Sequence, residues 1–381
     1  MRSDARPCRL NTVLSWTLAV VLLLSVLSTG AAAQDRPGVH VTPKGYRVPV
    51  YGMSVVRDAD GRVDVLCARL TDAELASTPL ARSMSRSMLA RSPQVLVQEG
   101  EDRLAFTVIY GDAPGTGFFD GDVGEQRRAA FEASLATWSA ALRGRAPVTV
   151  HVRMEEMDED SQVLAHAGPV DFIEIDGVAV PYALAAQLRE EPVGDGGAHI
   201  EAVFNSRMAW DYSLEGTTSN EEQTSFLYTA LHEVGHGLGF LDTFDPDEGA
   251  LLNGVPTPYD TFVNRGHGED GRLTGRGSGD VRGDLVSDDL FFAGPAATDA
   301  SQASVVPLPL VKLHAPDPYE QGSSVSHVDQ ETYSQVEVGL MTPGAFGASA
   351  NMIDILTLGI LADLGYQVAP REETVTTTRR Q

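Results

Sequence analysis

The amino-acid sequence predicts a mixed α/β fold, because strand-like and helix-like patterns alternate along its central and C-terminal parts. Short runs with alternating apolar and polar residues are typical of strands. The strand candidates are Leu104–Tyr110, Val148–Met154 and His199–Asn205. One helix is predicted between the first two strands, and a second helix follows the third.

The first predicted helix spans Glu125–Leu142. Its apolar face repeats at spacings of four, three and four residues and consists of Phe131, Leu135, Trp138 and Leu142. This spacing places the four side chains on one side of a helix, where they can pack against a sheet. Trp138 is therefore predicted to be a core residue rather than a ligand-binding one.

The second predicted helix begins with a capping pattern, in which Ser219 is followed three residues later by Glu222. An apolar stripe follows and continues to the segment "LHEVGHGLGF", Leu231–Phe240. The combination predicts an amphipathic helix that is half embedded in the core.

This helix carries a His-Glu-x-x-His pattern. His232 and His236 lie four residues apart and share one face, so their imidazoles can converge on one metal ion. Glu233 lies beside them and can act as a general base on a zinc-bound water. The spacing predicts a Zn²⁺ site.

A catalytic zinc site needs a third protein ligand. One candidate is Asp242, three residues after Gly239. The other is His327, which lies far downstream in the segment Gly322–Tyr366. Imidazole is the usual third ligand, which favours His327 and leaves Asp242 as an acceptor at the end of the helix.

Three downstream pieces follow the helix motif in a fixed order: Ser326-His327, Leu340–Pro343 and Asp363–Tyr366. Together with the helix, they resemble the leishmanolysin-like metzincins, and more closely the secreted bacterial type than the disulfide-rich protozoan enzymes. The resemblance covers roughly residues 104–368. It implies that His327 is the third zinc ligand and that Met341, in a Met-turn, forms an apolar floor below the ion.

The same resemblance implies a twisted mixed sheet, an active-site helix across the middle, and a lower C-terminal subdomain that holds the Met-turn. Residues 101–370 would then form the catalytic domain. Residues 251–321 would be an insertion between the helix and the third ligand, and residues 371–381 a polar tail.

Residues 1–33 are typical of a secretory signal peptide. Three early arginines precede the apolar run Val13–Leu27, and Ala31–Ala33 supplies small residues for cleavage. An uncleaved membrane anchor is the alternative, because the run is about as long as a short span. We expect cleavage, and hence a secreted protein, extracellular or periplasmic, with no stable membrane association afterwards.

Residues 34–100 form a separate N-terminal region in this prediction. The stretch Ser77–Gln94 contains three arginines, five serines and no acidic residue, which is a break in so acidic a chain. It is either a processing linker, which makes the N-terminal region a pro-segment, or an exposed loop of a small domain. Cys67 is the only cysteine left after signal cleavage, so no disulfide can form within the chain. We interpret it as a buried cysteine rather than as an inhibitory thiolate.

The formal net charge of −25 argues against nucleic acid or an anionic membrane as a partner. The sequence thus predicts a secreted zinc metalloendopeptidase that acts on proteins or peptides. One alternative is a snapalysin-like peptidase with Asp242 as third ligand. Another is a non-catalytic surface-binding protein on the same scaffold. The oligomeric state is not predicted.

Overall fold

The computed structural model of the chain describes residues 39–57, 63–69, 94–159, 161–215, 220, 223–333, 339–344 and 353–370, all within one compact unit, residues 37–381. The predicted signal peptide, the polar tail and the predicted linker up to residue 93 lie outside the described residues.

The strands of the described residues are short and are numbered in chain order. They are β1 (Val39–Val41), β2 (Arg47–Pro49), β3 (Tyr51–Arg57), β4 (Val63–Arg69), β5 (Gln94–Val97), β6 (Phe106–Tyr110), β7 (Leu142–Arg143), β8 (Val148–Glu155), β9 (Val163–Pro169), β10 (Phe172–Ile175), β11 (Val178–Pro181), β12 (Ile200–Asn205), β13 (Trp210–Asp211), β14 (Thr224–Ser225), β15 (Phe244–Asp245), β16 (Ala250–Leu251), β17 (Val263–Arg265), β18 (Leu290–Phe292), β19 (Val311–Lys312) and β20 (Gln367–Val368).

The α-helices of the described residues are α1 (Gly121–Ala141), α2 (Tyr182–Arg189), α3 (Phe226–Gly237), α4 (Ser278–Asp284), α5 (Pro295–Ala303), α6 (Gln330–Tyr333) and α7 (Ile355–Leu364). Short 3₁₀ segments lie at Gly117–Phe119, Asp260–Phe262, Glu269–Gly271 and Leu273–Gly275. Within the described ranges, no helix combines the length and the apolar character needed to span a bilayer.

A seven-stranded sheet forms the centre of the fold, in the order β4-β3-β9-β12-β8-β6-β5. The neighbours β6, β8 and β12 run parallel, whereas the other neighbouring pairs are antiparallel. The three predicted strand candidates correspond to β6, β8 and β12. The mixed α/β class predicted from the sequence is therefore confirmed.

Helices α1 and α3 form the core with this sheet. Helix α1 packs against α3, and α3 lies against β9 and β12. Trp138 on α1 is fully buried, as predicted, and its indole N–H donates to the carbonyl of Leu231 on α3 over 3.1 Å. This bond fixes the two helices to each other along the helix that carries the histidines.

The region after α3 contains the three-stranded sheet β17-β18-β19 and the packed helices α5 and α7. Both carboxylate oxygens of Asp363, near the end of α7, accept the Ala296 and Ala297 N–H groups at the start of α5 (2.9 and 2.8 Å). These bonds satisfy N–H groups that have no partner within α5. The predicted insertion is thus joined to the C-terminal helix.

The N-terminal hairpin β3–β4 belongs to the central sheet. Strand β3 pairs antiparallel with β9, and β4 continues the sheet beyond β3. Residues on both sides of the predicted boundary at residue 100 therefore share one sheet. This pairing places the hairpin directly over the end of α3 that bears the motif, since α3 also contacts β3.

Candidate metal centre

Helix α3 is short and completely buried. It begins at Phe226, later than the sequence predicts, and Ser225 is its N-cap, with its hydroxyl accepting the Tyr228 N–H at 3.2 Å. The predicted cap Ser219 lies outside the described residues. After the helix, Gly239 turns the chain with a φ of +112°, which side chains rarely allow.

Three histidine side chains converge at the end of α3. The Nε2 atom of His232 lies 3.1 Å from that of His236 and 3.4 Å from that of His327. All three side chains have 0 % exposure. The structure thus brings together the three histidines that the sequence predicts as ligands, although His327 lies 95 residues from His232.

The other ring nitrogen of each histidine is held by a backbone carbonyl. The Nδ1 atoms of His232, His236 and His327 lie 2.8, 2.7 and 2.9 Å from the oxygens of Leu340, Phe240 and Ser323, respectively. A carbonyl oxygen can only accept, so each Nδ1 carries the proton. In neutral rings the three Nε2 lone pairs then face one another, an arrangement that a cation stabilises.

Cys67 on β4 completes this group. Its sulfur lies 3.7 Å from the Nε2 of His236, and the four ligand atoms of Cys67, His232, His236 and His327 lie within 4.8 Å of one another. Two nitrogens about 2.0–2.1 Å from a tetrahedral zinc are about 3.3 Å apart, and a nitrogen and a thiolate sulfur are about 3.6 Å apart. The separations of 3.1, 3.4 and 3.7 Å are close to these values, and the buried group could hold a metal ion.

Burial dominates the electrostatics of the group. Desolvation lowers the pKa of His232 to about 4 and holds the pKa values of His236 and His327 well below the usual range. The same desolvation, with the Glu233 charge second, raises the pKa of the Cys67 thiol well above its ordinary value. The histidines are therefore neutral at pH 7 and ready to donate lone pairs, whereas the thiol must lose a proton to become a ligand.

Glu233 lies beside the group on α3 and is fully buried. Its Oε1 accepts the backbone N–H of Met53 on β3 at 3.1 Å. Its Oε2 is buried without a hydrogen-bond partner among the described residues. Desolvation raises the pKa of Glu233 well above its ordinary value, against the opposing effects of the Met53 and Ala167 backbone N–H groups. A carboxyl with so high a proton affinity is suited to proton transfer.

Asp242 does not belong to the histidine group. Its Oδ2 accepts the Ser326 hydroxyl at 2.6 Å, and its own N–H donates to the same hydroxyl oxygen at 2.8 Å. The sequence alternative with Asp242 as third ligand therefore has no support in this geometry. Instead, Asp242 fixes the residue that precedes His327.

Met341 packs on the helix that carries His232 and His236 and is fully buried. A side-chain carbon on Gly235 would lie 2.7 Å from the Met341 sulfur, so the turn packs directly on the bare helix backbone. The preceding residue, Leu340, supplies the carbonyl that orients His232. Met341 therefore packs against the helix that carries His232 and His236 and lies outside the set of donor atoms.

The N-terminal hairpin is also hydrogen-bonded to the segments that contain Met341 and His327. The Cys67 N–H donates to the carbonyl of Pro343, which follows the Met341 turn, and the Ser323 hydroxyl donates to the carbonyl of Cys67. With the hairpin in this position, His232, Glu233, His236 and His327 all have 0 % exposure. The group is therefore closed to solvent.

The sequence did not predict the place of Cys67 in this group. The prediction of a buried cysteine is confirmed, but the partners that bury it are the histidines. Its isolation as the only cysteine after the predicted signal peptide was the available signal, since an odd cysteine in a secreted protein is a reactive or ligating candidate. The contact between Met53 and Glu233 could not be predicted from the sequence, because the backbone of Met53 makes it rather than the side chain.

Comparisons with known proteins give no further assignment. No family model, no curated protein and no solved structure matches the chain. The function of this protein therefore has to be inferred from the geometry of the Cys67–histidine group and from the motifs that form it.

Proposed function

We propose that this protein is a zinc-dependent metalloendopeptidase of the leishmanolysin-like metzincin type, with His232, His236 and His327 as the metal ligands. The observation that carries the proposal is the convergence of three Nε2 atoms: that of His232 lies 3.1 Å from His236 and 3.4 Å from His327. The Nδ1 atom of each ring is held by a backbone carbonyl. A buried donor set of this kind, with a carboxyl beside it on the same helix, matches catalytic zinc sites.

Each residue has a distinct task in this proposal. A bound zinc ion would polarise the carbonyl of the substrate and lower the pKa of water. Glu233 takes the proton from the attacking water and delivers it to the nitrogen of the leaving amine. Its raised pKa suits both transfers, because the carboxyl must hold the proton between the two steps.

The finer fold assignment rests on three features. Helix α3 packs against a mixed sheet, Met341 packs against Gly235 on this helix, and the C-terminal helix α7 follows the Met341 turn. These features agree with the order of segments that the resemblance implies. Secretion is proposed on the N-terminal pattern of residues 1–33, and proteins or peptides are proposed as substrates because the chemistry of the group is that of amide hydrolysis.

A second candidate function comes from Cys67. Four protein ligands that fill a tetrahedron are typical of structural zinc sites, which keep no position for water or substrate. The set of Cys67 and three histidines meets that description. On this alternative the metal only stabilises the fold, and Glu233 has no chemical task.

The Glu233→Gln variant tests the proposed function. Zinc-loaded wild type and variant are assayed for casein hydrolysis, each both intact and after limited proteolysis that is shown by mass spectrometry to cut only in the predicted processing linker Ser77–Gln94. We expect hydrolysis by the wild type and a loss of about 10²–10⁴-fold in the variant, with zinc content unchanged because Glu233 is not a ligand. Equal rates in both proteins, or no hydrolysis by either, would contradict the proposal.

A further inference from the structure

We propose that the cavity between the ribbon β1–β2 and the outer face of the central sheet binds a small organic cation, an ammonium group on a short apolar body. Glu201 on β12 supplies the counter-charge, and His40 and His166 accept hydrogen bonds from the ammonium group. This site lies on the other side of the sheet from the histidine group of α3. The inference goes beyond the proposed function and does not depend on it.

The outer face of the sheet is the face that points away from α3. A side-chain carbon on Gly237 of α3 would overlap the Ile200 side chain, so Ile200 points toward this helix. Successive side chains of a strand alternate between the two faces, so Glu201 points to the outer face. The pairing of β12 with β9 places Gly168 directly opposite Glu201, and His166 follows two residues away on the same face. A carboxylate and an imidazole are therefore neighbours on the outer face.

The cavity over this face has a volume of about 340 Å³, which is within the range of small-molecule sites. One wall is formed by β9 and β12 and includes His166, Gly168 and Glu201. The other wall is the ribbon, in which His40 and Val48 are paired across β1 and β2. The rest of the lining is mostly valine and proline. The cavity thus combines a few polar groups with an apolar surface.

Gly168 keeps this cavity open. A side-chain carbon at this position would have no atom of a non-adjacent residue within 4 Å, and the φ of Gly168 is not in the left-handed region that favours glycine. The backbone of β9 would therefore accept a larger residue. A glycine within a strand weakens it and often marks a place where a ligand approaches closely. The missing side chain leaves room directly beside Glu201.

The charge of the cavity favours a cation. Among the described residues that line it, Glu201 is the only aspartate, glutamate, lysine or arginine. Desolvation raises the pKa of Glu201, but the contacts with His151 and Arg153 outweigh burial and hold the pKa below its usual value. Arg153 also pairs with Glu155 at 2.8 Å, so two carboxylates share one guanidinium. The surplus charge is negative, and it attracts a cation across the cavity.

The two histidines of the cavity are neutral acceptors. Burial lowers the pKa of His166 to about 4 and also lowers the pKa of His40, although the Glu201 charge opposes both shifts. A neutral imidazole has one nitrogen that accepts a hydrogen bond. The Nε2 of His166 is buried and has no partner among the described residues, which is rare for a polar atom. With the proton on Nδ1, a donor on the ligand accounts for this nitrogen.

The spacing of these groups favours an organic cation over a metal ion. Of the described residues, only Cys67 and the three histidines around α3 bring three or more donor atoms close enough to share one ion. The acceptors of the cavity are farther apart and suit a group with several N–H donors. An ammonium group carries three donors and one charge, and its apolar body can cover the valines and prolines.

The test uses para-fluorobenzylammonium as the probe, which is added to the metal-free full chain and followed by fluorine NMR. The neutral para-fluorobenzyl alcohol is the matched control, because it has nearly the same shape and no charge. We expect the ammonium probe to bind with a Kd of about 1 mM or below, and the alcohol to bind about tenfold or more weakly, as the loss of one charge-assisted contact predicts. No binding of the ammonium probe, or equal binding of both, would overturn the inference.

Two variants locate the bound probe. Glu201→Gln removes the charge, and Gly168→Val fills the space beside it and leaves every charge in place. Each should weaken binding of the ammonium probe about tenfold or more. Glu174→Gln and Gly268→Val are the controls, since Glu174 is exposed on β10 and Gly268 has an extended backbone and open space after α3. Both controls should bind as wild type does.

Gly168→Val decides the question if Glu201→Gln fails to fold. Valine suits a strand and β9 has room for it, so the melting temperature of this variant should not fall. Unchanged binding in Gly168→Val, or a loss as large in the controls, would refute the assignment to this cavity. Because no readout involves hydrolysis or zinc, failure here leaves the proposed function standing, and failure of that function leaves this inference standing.

Discussion

Two segments reach the histidine pair of α3 from opposite sides, and they are held by different forces. From below, the segment that contains His327 is bonded to Asp242 through Ser326 and to the Met341 turn through the Val328 N–H. From above, the hairpin β3–β4 is held by strand pairing with β9 and by a few bonds around Cys67. Among the described residues, the lower segment is therefore fixed mainly by hydrogen bonds of side chains and of the Met341 turn, and the upper one mainly by strand pairing.

The insertion reinforces this difference. Tyr259 is fully buried, and its hydroxyl donates to the carbonyl of Val325, two residues before His327, at 2.8 Å. Strand β2, which precedes the hairpin, is joined to the same region by a reciprocal pair of bonds between the Arg47 backbone and the Asn253 side chain. His327 is thus fixed by side chains from several segments, whereas the contacts described for the hairpin are mainly those of backbone pairing.

The largest expected effect is a difference in zinc content between variants of the two segments. His327→Ala removes a ligand that belongs to the permanent site, so zinc affinity should fall by more than about 100-fold, beyond the loss seen when an outer contact is removed. Casein hydrolysis after cutting should vanish. Cys67→Ala should keep about one zinc per chain, because three histidines remain.

Asp242→Asn is the control for this comparison, and zinc per chain is measured by mass spectrometry of the purified proteins. Asp242 supports Ser326 and donates nothing to the metal, so we expect a loss of affinity of about 10–100-fold at most. Zinc loss in Asp242→Asn as complete as in His327→Ala would contradict the assignment of His327.

The intermediate effect is a change in how the stability of the fold depends on pH. It arises from Asp260, in the segment that follows α3. Burial, with the Asp242 charge second, raises the pKa of Asp260 to about 7 from a usual value of 3.8. The folded state then binds the proton more tightly than the unfolded state. This contribution to stability is full below pH 4 and is lost as pH rises through 7. Its size is on the order of 4 kcal/mol.

The Asp260→Asn variant should remove this loss, which is measured as the free energy of unfolding in urea between pH 4 and pH 8. His166 on β9, the strand that pairs with the hairpin, has the opposite pH dependence. Desolvation lowers its pKa to about 4, so its contribution is present above pH 6.5 and is lost as pH falls through 4. His166→Gln should flatten the acid side of the curve only. An unchanged neutral side in Asp260→Asn would contradict the assignment.

The smallest expected effect comes from the bond that joins the two segments. Ser323→Ala removes the hydroxyl that donates to the Cys67 carbonyl, at a cost of about 1 kcal/mol to the hold on the hairpin. Hydrogen exchange of the β3 and β4 backbone amides should therefore be about fivefold faster. Ser324→Ala is the matched control, since its hydroxyl accepts the Glu320 N–H. An increase in exchange in the control as large as in Ser323→Ala would show that the bond to Cys67 has no specific effect.

The sequence was sufficient for features that depend on local spacing. The apolar repeat of the first helix, the alternation in β8 and the four-residue step between His232 and His236 all follow from the periods of helices and strands. His327 was accessible through the order of short motifs. The start of α3 and the place of Cys67 were not, because strand pairing between distant segments decides them. Nothing in the local pattern around residues 51–69 specifies β9 as their partner.

The contact between Gly235 and Met341 has a consequence for the history of the sequence. The "x" positions of a His-Glu-x-x-His motif are often regarded as free, yet the second one here lies where any side-chain carbon would meet the Met341 sulfur at 2.7 Å. Positions 235 and 341 should therefore covary among relatives of this chain. A relative with alanine at position 235 should carry a shifted or a shorter side chain at position 341, and the pair can serve as a marker when such relatives are sought.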